Sequence, residues 1–340
     1  MDGIMQMDHA LVQVTTSNEE SQVTPEFFLA HYMQFVCMAI ARGNPSEDTR
    51  ETYRKNIDAF LGWCLGTCGA SPFSLKERHI ELYRAFLLSL RKADGTRCSN
   101  SFVHVRLSAV RAFYKAAVKQ GLMDSNPCLD VKAPTDALGD LPFNYYSMAE
   151  LRELVHHVKG SCDEFERCRS LAMIYLMAVA GLRCVEVHRA DREDINWSDC
   201  TMRVHGKGHD GTAYLDESTA SVLRDYLDCI QRLGIEAEQE GGRTPLIISR
   251  GKSRQGTRLA RNSIRWNMSR LLEGANLKTC GSSCHVLRHS CATALYEATR
   301  DLRVVQDTMR HRDPKVTARY AHVVEQLCRR PTATLGRSLE

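Results

Sequence analysis

Two short segments in the second half of the sequence place single cations at predicted chain turns. AGLRCVEV at 180–187 carries Arg183 just after the predicted C-terminus of an apolar helix. VHGKGHDG at 204–211 carries Lys207 at the tip of a predicted hairpin. Both side chains could bind an anion, and a lysine could also donate a proton. Taken alone, Arg183 is equally consistent with an ordinary helix-end cation and Lys207 with a solvated hairpin lysine.

Two further segments add histidines, a second arginine and a tyrosine. CHVLRHSCATAL at 284–295 sets His285 and Arg288 three residues apart, so the two share one helix face. MRHRDPKVTARYAH at 309–322 carries His311, a helix that starts at a proline, and Tyr320 nine residues after the histidine. Each has an ordinary alternative, since the first pair could be a surface or capping pair, His311 a cap, and Tyr320 a core aromatic.

In combination and in order, these four segments resemble the signature of the tyrosine recombinase, or phage integrase, family. The family segments run approximately G-L-R-x-x-E, a hairpin Lys, H-x-L-R-H-x-x-A-T and L-G-H-x-x-x-x-T-x-x-Y-x-H. Here they read GLRCVE, GKG, HVLRHSCAT and MRHRDPKVTARYAH. The resemblance is nearest to the Xer-like and simple integrase branch and covers about residues 24–325, with SFVHVRLSAVRAFYKAAVKQGLMDSNPC similar to the end of a core-binding domain.

The resemblance implies a phosphate-binding site around a tyrosine nucleophile. Tyr320 would attack the scissile phosphate, and Arg183 and Arg288 would hold its non-bridging oxygens. His311 would donate a hydrogen bond to the phosphate, and Glu186 would support Arg183. The chemistry is consistent, because two guanidiniums stabilise the charge that builds on a phosphodiester, and a cationic pocket makes it easier for a tyrosine to lose its proton.

By the same resemblance, Lys207 is the general acid for the leaving 5′ oxygen, and His285 acts in proton transfer. The sequence departs from the family pattern in two places. A second basic residue often follows the hairpin lysine, whereas Asp210 stands there in this chain. The usual L-G-H reads Met309-Arg310-His311, which adds a positive charge beside the site.

The first half of the chain predicts a compact helical domain. Residues 1–23 contain four acidic residues and no Lys or Arg, and are interpreted as a flexible leader. Thr24 and Pro25 predict a helix start, and apolar residues then recur at helical spacing through residue 132. The resemblance makes residues 24–132 a core-binding (SAM-like) DNA-binding domain, in which Arg106, Arg111 and Lys115 are candidate DNA contacts or solvated surface residues.

A second domain is predicted to follow a linker, because KAPTDALGDLP at 132–142 has the Pro, Gly and Asp content of one. The linker is assigned to 133–143, between the two predicted domains. The catalytic domain then spans 144–340 and is mainly α-helical with a small β-sheet. Ser147 and Glu150 predict a capping box that opens its first helix. Short strands are predicted at INW, TMRVH and TAYLD between 195 and 216, and another at TPLIIS, 244–249, before four closing helices.

Composition is consistent with this interpretation without requiring it. The net charge is +4, and no apolar run is long enough to cross a bilayer, so a cytoplasmic location with no membrane partner is expected. The 14 cysteines are expected to be free thiols. Cys280 and Cys284 have a spacing compatible with a metal site, but no second such pair follows, and no metal or other cofactor is expected.

The sequence therefore predicts a site-specific recombinase that cuts and rejoins duplex DNA at paired inverted-repeat core sites. The expected intermediates are a covalent 3′-phosphotyrosyl link and a Holliday junction, formed by a homotetramer on DNA, with an accessory DNA-bending or directionality factor as a further partner. Residues 323–327 could dock on a neighbouring subunit or form an ordinary terminal helix. Two rivals remain open, a type IB topoisomerase and a DNA-binding protein that has lost catalysis.

Overall fold

The computed structural model describes residues 23–40, 45–134, 144–206, 210–251, 253–279, 284–311 and 313–329. The chain forms two compact units, Met1–Leu141 and Pro142–Glu340. The predicted leader (1–23) and linker (133–143) lie outside the described residues except at 23, 133 and 134. Lys207 and Cys280 also lie outside them.

The first unit is helical where it is described. Its four α-helices are α1 (Pro25–Ile40), α2 (Glu47–Trp63), α3 (Glu77–Ser89) and α4 (Asn100–Lys119), with a short π-helical segment at Cys64–Cys68 and a 3₁₀ turn at Pro72–Ser74. As predicted, α1 begins at Pro25, and the Thr24 hydroxyl accepts a hydrogen bond from the Phe27 N–H at 3.2 Å. Ser99 caps α4 in the same way by accepting from the Phe102 N–H.

Aromatic side chains dominate the core of this unit. Phe60 of α2 and Phe113 of α4 are fully buried, with ring centroids 6.4 Å apart, and Phe28 of α1 meets Phe113 edge-on at 5.4 Å. Tyr114 is also buried and donates its hydroxyl to the Pro72 carbonyl at 2.9 Å. The apolar stripes of three helices therefore converge on one aromatic cluster, which is the packing their helical periodicity predicts.

Arg111 ties α4 to the chain segment that follows it. Its Nε donates to the Cys128 carbonyl at 3.3 Å, and its Nη2 donates to the Val131 carbonyl at 3.0 Å. The Asn126 side chain donates to the Arg111 carbonyl at 3.0 Å and accepts from the Cys128 N–H at 2.9 Å. This arginine fixes the end of the unit against its longest helix.

The second unit is mainly α-helical with a three-stranded antiparallel sheet of order β1-β2-β3. Its strands are β1 (Ile195–Asn196), β2 (Thr201–His205) and β3 (Asp210–Tyr214), and Val204 of β2 lies opposite Gly211 of β3. Its described α-helices are α5 (Met148–Lys159), α6 (Glu164–Ala178), α7 (Cys184–Arg189), α8 (Glu217–Arg232), α9 (Arg261–Gly274), α10 (Cys284–Thr299), α11 (Leu302–Met309) and α12 (Pro314–Arg329). The predicted hairpin strands and the closing helices are therefore present.

The predicted capping box at the start of α5 is confirmed. The Glu150 carboxylate accepts from the Ser147 backbone N–H at 2.7 Å, and the Ser147 hydroxyl accepts from the Glu150 N–H at 3.3 Å. Just before it, the Tyr146 N–H donates to the Ser290 hydroxyl at 2.7 Å, and the Tyr146 hydroxyl donates to the Leu277 carbonyl at 3.1 Å. The entry to this unit is thus anchored to the helix that carries His285 and Arg288.

The prediction of a strand at 244–249 is wrong. The segment makes only isolated bridges, Asp191 with Pro245 and Ile248 with Arg258. Leu246 and Ile248 are nonetheless fully buried. The apolar run therefore reflects burial in the core rather than a ladder, since Pro245 has no N–H to donate and no continuous partner strand lies alongside.

None of the described helices combines the length and the apolar character that crossing a membrane requires.

Arg111→Met should destabilise the first unit by about 1–3 kcal/mol, because two backbone carbonyls lose their donors inside the fold. Lys115→Met is the matched control, since Lys115 lies one turn later on the same helix with an exposed side chain. Urea unfolding of both full-length variants measures the difference. Equal midpoints for the two variants would contradict the structural role given to Arg111.

Candidate active site

A left-handed glycine turn positions the first arginine. After α6 ends, Gly181 adopts φ +65°, and a Cβ at this position would lie 2.3 Å from Cε of Met309. The Leu182 N–H returns to the Leu176 carbonyl at 2.8 Å, which closes the turn. Only glycine combines this backbone conformation with such a close approach, so the turn presents Arg183 at the start of α7.

Arg183 and Glu186 form a reciprocal pair at the start of α7. The Glu186 carboxylate accepts from the Arg183 backbone N–H at 2.8 Å and from its Nη1 at 2.7 Å. The Glu186 side chain is only 2% exposed, whereas that of Arg183 is 34% exposed. Burial alone would raise the pKa of Glu186, but the positive charges of Arg310 and Arg288 and the N–H donors of Arg183 outweigh it and lower the pKa.

Arg288 of α10 reaches across to two loops. Its guanidinium donates through Nη1 to the Gly181 carbonyl and through Nη2 to the Met309 carbonyl. Nη1 also lies 3.8 Å from the Glu186 carboxylate, and the side chain is 5% exposed. Burial, followed by the charge of Arg183, lowers the pKa of Arg288 to about 10, so the group stays cationic at neutral pH. Arg288 therefore holds together the turns that precede Arg183 and His311.

His285 lies one turn before Arg288 and faces the same group of cations. Its side chain is exposed by surface area, yet protein atoms surround enough of the ring that desolvation lowers its pKa. The charges of Arg265, Arg288 and Arg183 lower it further. The ring is therefore neutral at neutral pH, which suits a group that accepts or passes on a proton.

Arg310 ends α11 in a left-handed conformation, with φ 53° and ψ 46°. This backbone costs a non-glycine residue about 1–2 kcal/mol. Its Nη2 lies 3.0 Å from the Glu186 carboxylate and 3.4 Å from the Gly181 carbonyl, and its Nη1 donates to the Thr308 carbonyl at 3.0 Å. Glu186 therefore faces three guanidiniums, those of Arg183, Arg288 and Arg310.

Tyr320 of α12 is buried against two histidines. Tyr320 is 1% exposed, and its hydroxyl lies 2.9 Å from Nδ1 of His289. The His311 ring stacks on the tyrosine ring at 6.1 Å, and its Nδ1 lies 3.1 Å from the Thr317 hydroxyl. Desolvation raises the pKa of Tyr320, opposed first by the charge of Arg288.

Both histidines beside Tyr320 are neutral at neutral pH. Burial, then the charges of the other histidines and arginines nearby, lowers the pKa of His289 to about 4 and that of His311 to about 4. A neutral His289 with its proton on Nε2 accepts a hydrogen bond from the protonated tyrosine hydroxyl. The fold thus provides Tyr320 with a proton acceptor at hydrogen-bond distance.

The base of the β2–β3 hairpin lies beside this site. Lys207 lies outside the described residues, but the Gly206 carbonyl accepts from Arg189 Nη1 at 3.0 Å. On β3, a Cβ on Gly211 would lie 2.9 Å from Cδ of Arg310. The strand that follows the predicted tip therefore contacts the loop that carries His311.

His205 of β2 contacts Asp210, the acidic residue of the hairpin. Its ring lies 3.1 Å from the Asp210 carboxylate on the opposite strand and 3.0 Å from the buried Asp194 carboxylate. Desolvation lowers the pKa of His205, but the two carboxylates outweigh it and raise the pKa. Asp194 is also bound by Nη2 of Arg243. Asp210, which replaces the basic residue of the family pattern, thus pairs across the hairpin.

The three candidate DNA contacts of the first unit have different surroundings. Arg106 is half-buried with its guanidinium 4.5 Å from the Phe102 ring centroid, and Lys115 is exposed. Arg111 donates within its own unit, as described above.

Over the described residues, no cluster of three or more His, Cys, Asp or Glu side chains could hold a metal ion. Cys284 is a buried free thiol, and the cysteine predicted as its metal-binding companion lies outside the described residues.

The structure brings together five of the six predicted catalytic residues, namely Arg183, His285, Arg288, His311 and Tyr320, with Glu186 among them. Sequence reasoning missed His289 and Thr317 as partners of the tyrosine and of His311. Both stand inside the quoted segments HVLRH and KVTARY, so the signal was present. Only the packing of α12 against α10 shows that His289 meets Tyr320.

Comparison with known proteins places this site in a family. The Phage integrase family model matches residues 145–326, more than half of the chain. The chain belongs to the phage integrase family. A second model, the phage integrase N-terminal SAM-like domain, matches residues 33–124. The resemblance inferred from the four segments and the predicted fold class, a helical SAM-like domain followed by a mainly α catalytic domain with a small sheet, are both confirmed.

Individual relatives of this tyrosine recombinase are similar over most of their length. The tyrosine recombinase XerC of Pseudomonas fluorescens (strain Pf0-1) is 30% identical over 82% of this chain and 86% of its own. XerD of Rhizobium meliloti (strain 1021) is 28% identical over 79% and 91%. Among solved structures, XerH bound to palindromic difH substrate has a TM-score of 0.66 at 16% identity, covering 93% of this chain and 98% of that one. The Tn1549 transposon integrase in complex with transposon right end DNA has a TM-score of 0.67 at 15% identity, covering 87% and 98%.

In this recombinase, the His205 bridge should stabilise the hairpin in a pH-dependent way. Because the folded pKa of His205 is raised, its contribution is fully present below the unfolded pKa of about 6.5 and is lost as pH rises through the folded pKa. The stability difference between wild type and His205→Gln should be at most about 1 kcal/mol, since the pair is partly exposed. Thermal unfolding from pH 5 to 9 measures it.

His156→Gln, an exposed histidine of α5, is the control and should show no such trend. A wild-type advantage over His205→Gln that grows with rising pH would refute the bridge.

Proposed function

We propose that this chain is a site-specific recombinase that cleaves and rejoins duplex DNA through a covalent 3′-phosphotyrosyl link to Tyr320. The observation that carries the proposal is the convergence of three guanidiniums on one buried carboxylate, with a tyrosine hydroxyl and neutral histidines close enough to interact with the charge of Arg288. This arrangement combines a nucleophile, proton carriers and preorganised positive charge, as phosphoryl transfer without a metal ion requires.

The chemistry balances with the groups of the site. The Tyr320 oxygen attacks the phosphorus, its proton passes to a neutral histidine, and the bond to the 5′ oxygen breaks. Lys207 gives the leaving oxygen its proton, which yields a free 5′ hydroxyl. Arg183 and Arg288 neutralise the charge that builds on the non-bridging oxygens. The reverse reaction on a new 5′ hydroxyl rejoins the strand and needs no ATP, because the covalent link preserves the phosphodiester energy.

His289 and His285 divide the proton chemistry in this proposal. His289 Nδ1 lies at hydrogen-bond distance from the Tyr320 hydroxyl, which supports it as the first proton acceptor. His285 is assigned to proton transfer by family resemblance, and its neutral ring among arginines supports that role.

DNA must expose the tyrosine before it reacts. Tyr320 is covered in the chain alone, with its hydroxyl on His289 rather than towards solvent. A phosphate reaches the hydroxyl only if α12 or the loop before it shifts. We infer that DNA binding and assembly supply this shift, and that residues 323–327 dock on a neighbouring subunit in a homotetramer.

The DNA partner is proposed to be a duplex with paired inverted-repeat core sites, processed through a Holliday junction. XerH was solved with palindromic difH substrate and the Tn1549 integrase with transposon right end DNA, which supports DNA as the partner of this fold. Arg106 and Lys115 are the proposed contacts of the first unit, and an accessory DNA-bending or directionality factor is a further proposed partner.

Tyr320→Phe should abolish covalent attachment to DNA, because it removes the nucleophilic oxygen and keeps the ring that packs on His311. The test is a nicked suicide duplex bearing a target site selected by the wild-type chain from a randomised pool, incubated in EDTA without ATP. Wild type should accumulate a complex whose peptide carries Tyr320 on a 3′ phosphate.

Tyr296→Phe, a buried tyrosine of α10 outside the signature, is the control and should keep forming the adduct. A strict Mg²⁺ requirement, a 5′ linkage, or an adduct in Tyr320→Phe would overturn the mechanism.

DNA affinity should fall steeply with salt, because phosphate contacts release counterions. Lys115→Met should weaken binding across sequences and reduce the slope of log K against log salt by about 1. Arg111→Met, matched on the same helix, should leave the slope unchanged while lowering stability. Fluorescence anisotropy between low and physiological salt measures both, and an unchanged slope in Lys115→Met would exclude that contact.

A further inference from the structure

Arg310 has no counterpart in the family pattern, where glycine precedes the histidine. The position has φ 53°, the left-handed region that glycine adopts without strain. Arginine at this position keeps the backbone conformation and accepts the strain. The side chain must therefore make contacts that glycine cannot, and the structure identifies three.

The first contact is with Glu186. Nη2 of Arg310 lies 3.0 Å from Oε2, the same oxygen that accepts from the Arg183 backbone N–H and lies 3.8 Å from Nη1 of Arg288. The Arg310 side chain is 14% exposed, so this ion pair is shielded from water. Among the charges that lower the pKa of Glu186, that of Arg310 is the largest.

The second contact is with the turn before Arg183. Nη2 of Arg310 lies 3.4 Å from the Gly181 carbonyl, which also accepts from Arg288. In return, the Arg310 carbonyl lies 3.4 Å from Nη2 of Arg183. Arg310 is thus linked to Arg183 and Arg288, the two proposed phosphate-binding arginines. The links run through the Glu186 carboxylate and the Gly181 carbonyl.

The third contact is with the hairpin. The aliphatic stem of Arg310 lies against Gly211 of β3, where a Cβ would be 2.9 Å from Cδ and 3.7 Å from Cγ. Gly211 pairs with Val204 of β2. A shift of the stem would therefore move β3, which follows Lys207 in the sequence.

We propose that Arg310 is a positioning residue of the recombinase: its guanidinium shares the Glu186 carboxylate with Arg183 and Arg288, while its stem supports β3 at Gly211. It sets the relative position of the proposed phosphate-binding arginines and β3 without touching the reacting atoms. The inference rests on the proposed function of the site, but its first test does not depend on cleavage.

The first test is acid unfolding of the full chain. Because the folded pKa of Glu186 is lowered, its stabilisation is present above the unfolded pKa and lost as pH falls through the folded pKa. Arg310→Met removes the largest charge that lowers this pKa, so the folded pKa moves back up towards the unfolded value and less stability is lost on acidification. The advantage in thermal midpoint of wild type over Arg310→Met should therefore be largest above the unfolded pKa and shrink as pH falls. Arg310→Lys should fall between the two.

Arg300→Met and Arg300→Gly are the matched controls. Arg300 is also left-handed, with φ 55°, at the end of α10, so Arg300→Met tests the loss of a charge at a left-handed position away from Glu186, and Arg300→Gly tests the relief of strain there. Their acid profiles should match that of wild type. Coincident profiles for Arg310→Met and wild type would overturn the contact with Glu186.

The second test is single-turnover cleavage of the selected suicide duplex. Arg310→Met and Arg310→Gly should each slow cleavage at least about tenfold, with DNA binding within about threefold, since the substrate contacts remain. Arg310→Lys should recover part of the rate. On a Glu186→Gln background, Arg310→Met should cause a much smaller loss, because the two residues act as a unit.

The outcomes separate the two proposals. If wild type forms no adduct, the proposed function fails, whereas the acid profiles still decide the role of Arg310. If wild type cleaves and Arg310→Gly cleaves equally fast, or if the losses in Arg310→Met and Glu186→Gln add fully, the positioning role is wrong.

Discussion

One buried carboxylate determines how the site is built. Glu186 is 2% exposed and stands among the guanidiniums of Arg183, Arg288 and Arg310. Three cations at such short range repel one another strongly, and burying a charge without a partner is costly. The carboxylate offsets part of that repulsion and leaves the pocket with excess positive charge. A phosphodiester carries the negative charge that would balance this excess. The positive charge that the carboxylate only partly neutralises in the folded chain would thus attract an anionic group.

Much of this site follows from the order of the sequence segments. Each of Arg183, Arg288, His311 and Tyr320 had an ordinary alternative when taken alone. They were predicted as site residues because the four segments, in combination and in order, resemble the family signature. The capping box at Ser147 and the helix start at Pro25 were equally accessible, since capping is local chemistry. Such features depend on neighbours within a few residues, and a single sequence contains them in full.

What the sequence could not supply depends on long-range packing. The run at 244–249 is apolar because it is buried, and burial alone does not distinguish a strand from an irregular core segment. Arg111 looked like other arginines on a helix face until its partners, the carbonyls of Cys128 and Val131, were located. His289 lies four residues after His285 on the same side of α10, but only the position of α12 brings Tyr320 to it. In each case the deciding neighbour is distant along the chain.

The hydrogen bonds of Arg288 affect how its substitutions are interpreted. Its guanidinium donates to the carbonyls of Gly181 and Met309, so it fastens two loops before any DNA arrives. A shortened side chain at this position removes a donor from both carbonyls, and among the described residues only that of Gly181 keeps a second, longer contact, with Arg310. In the proposed mechanism it also removes a cation from the phosphate. A slower rate in such a variant therefore reflects both a lower free energy of unfolding and a loss of transition-state stabilisation. The two effects can be separated only when stability and kinetics are measured on the same protein. In the proposed mechanism the same residue is part of the scaffold and part of the catalyst, so a substitution that changes one role also changes the other.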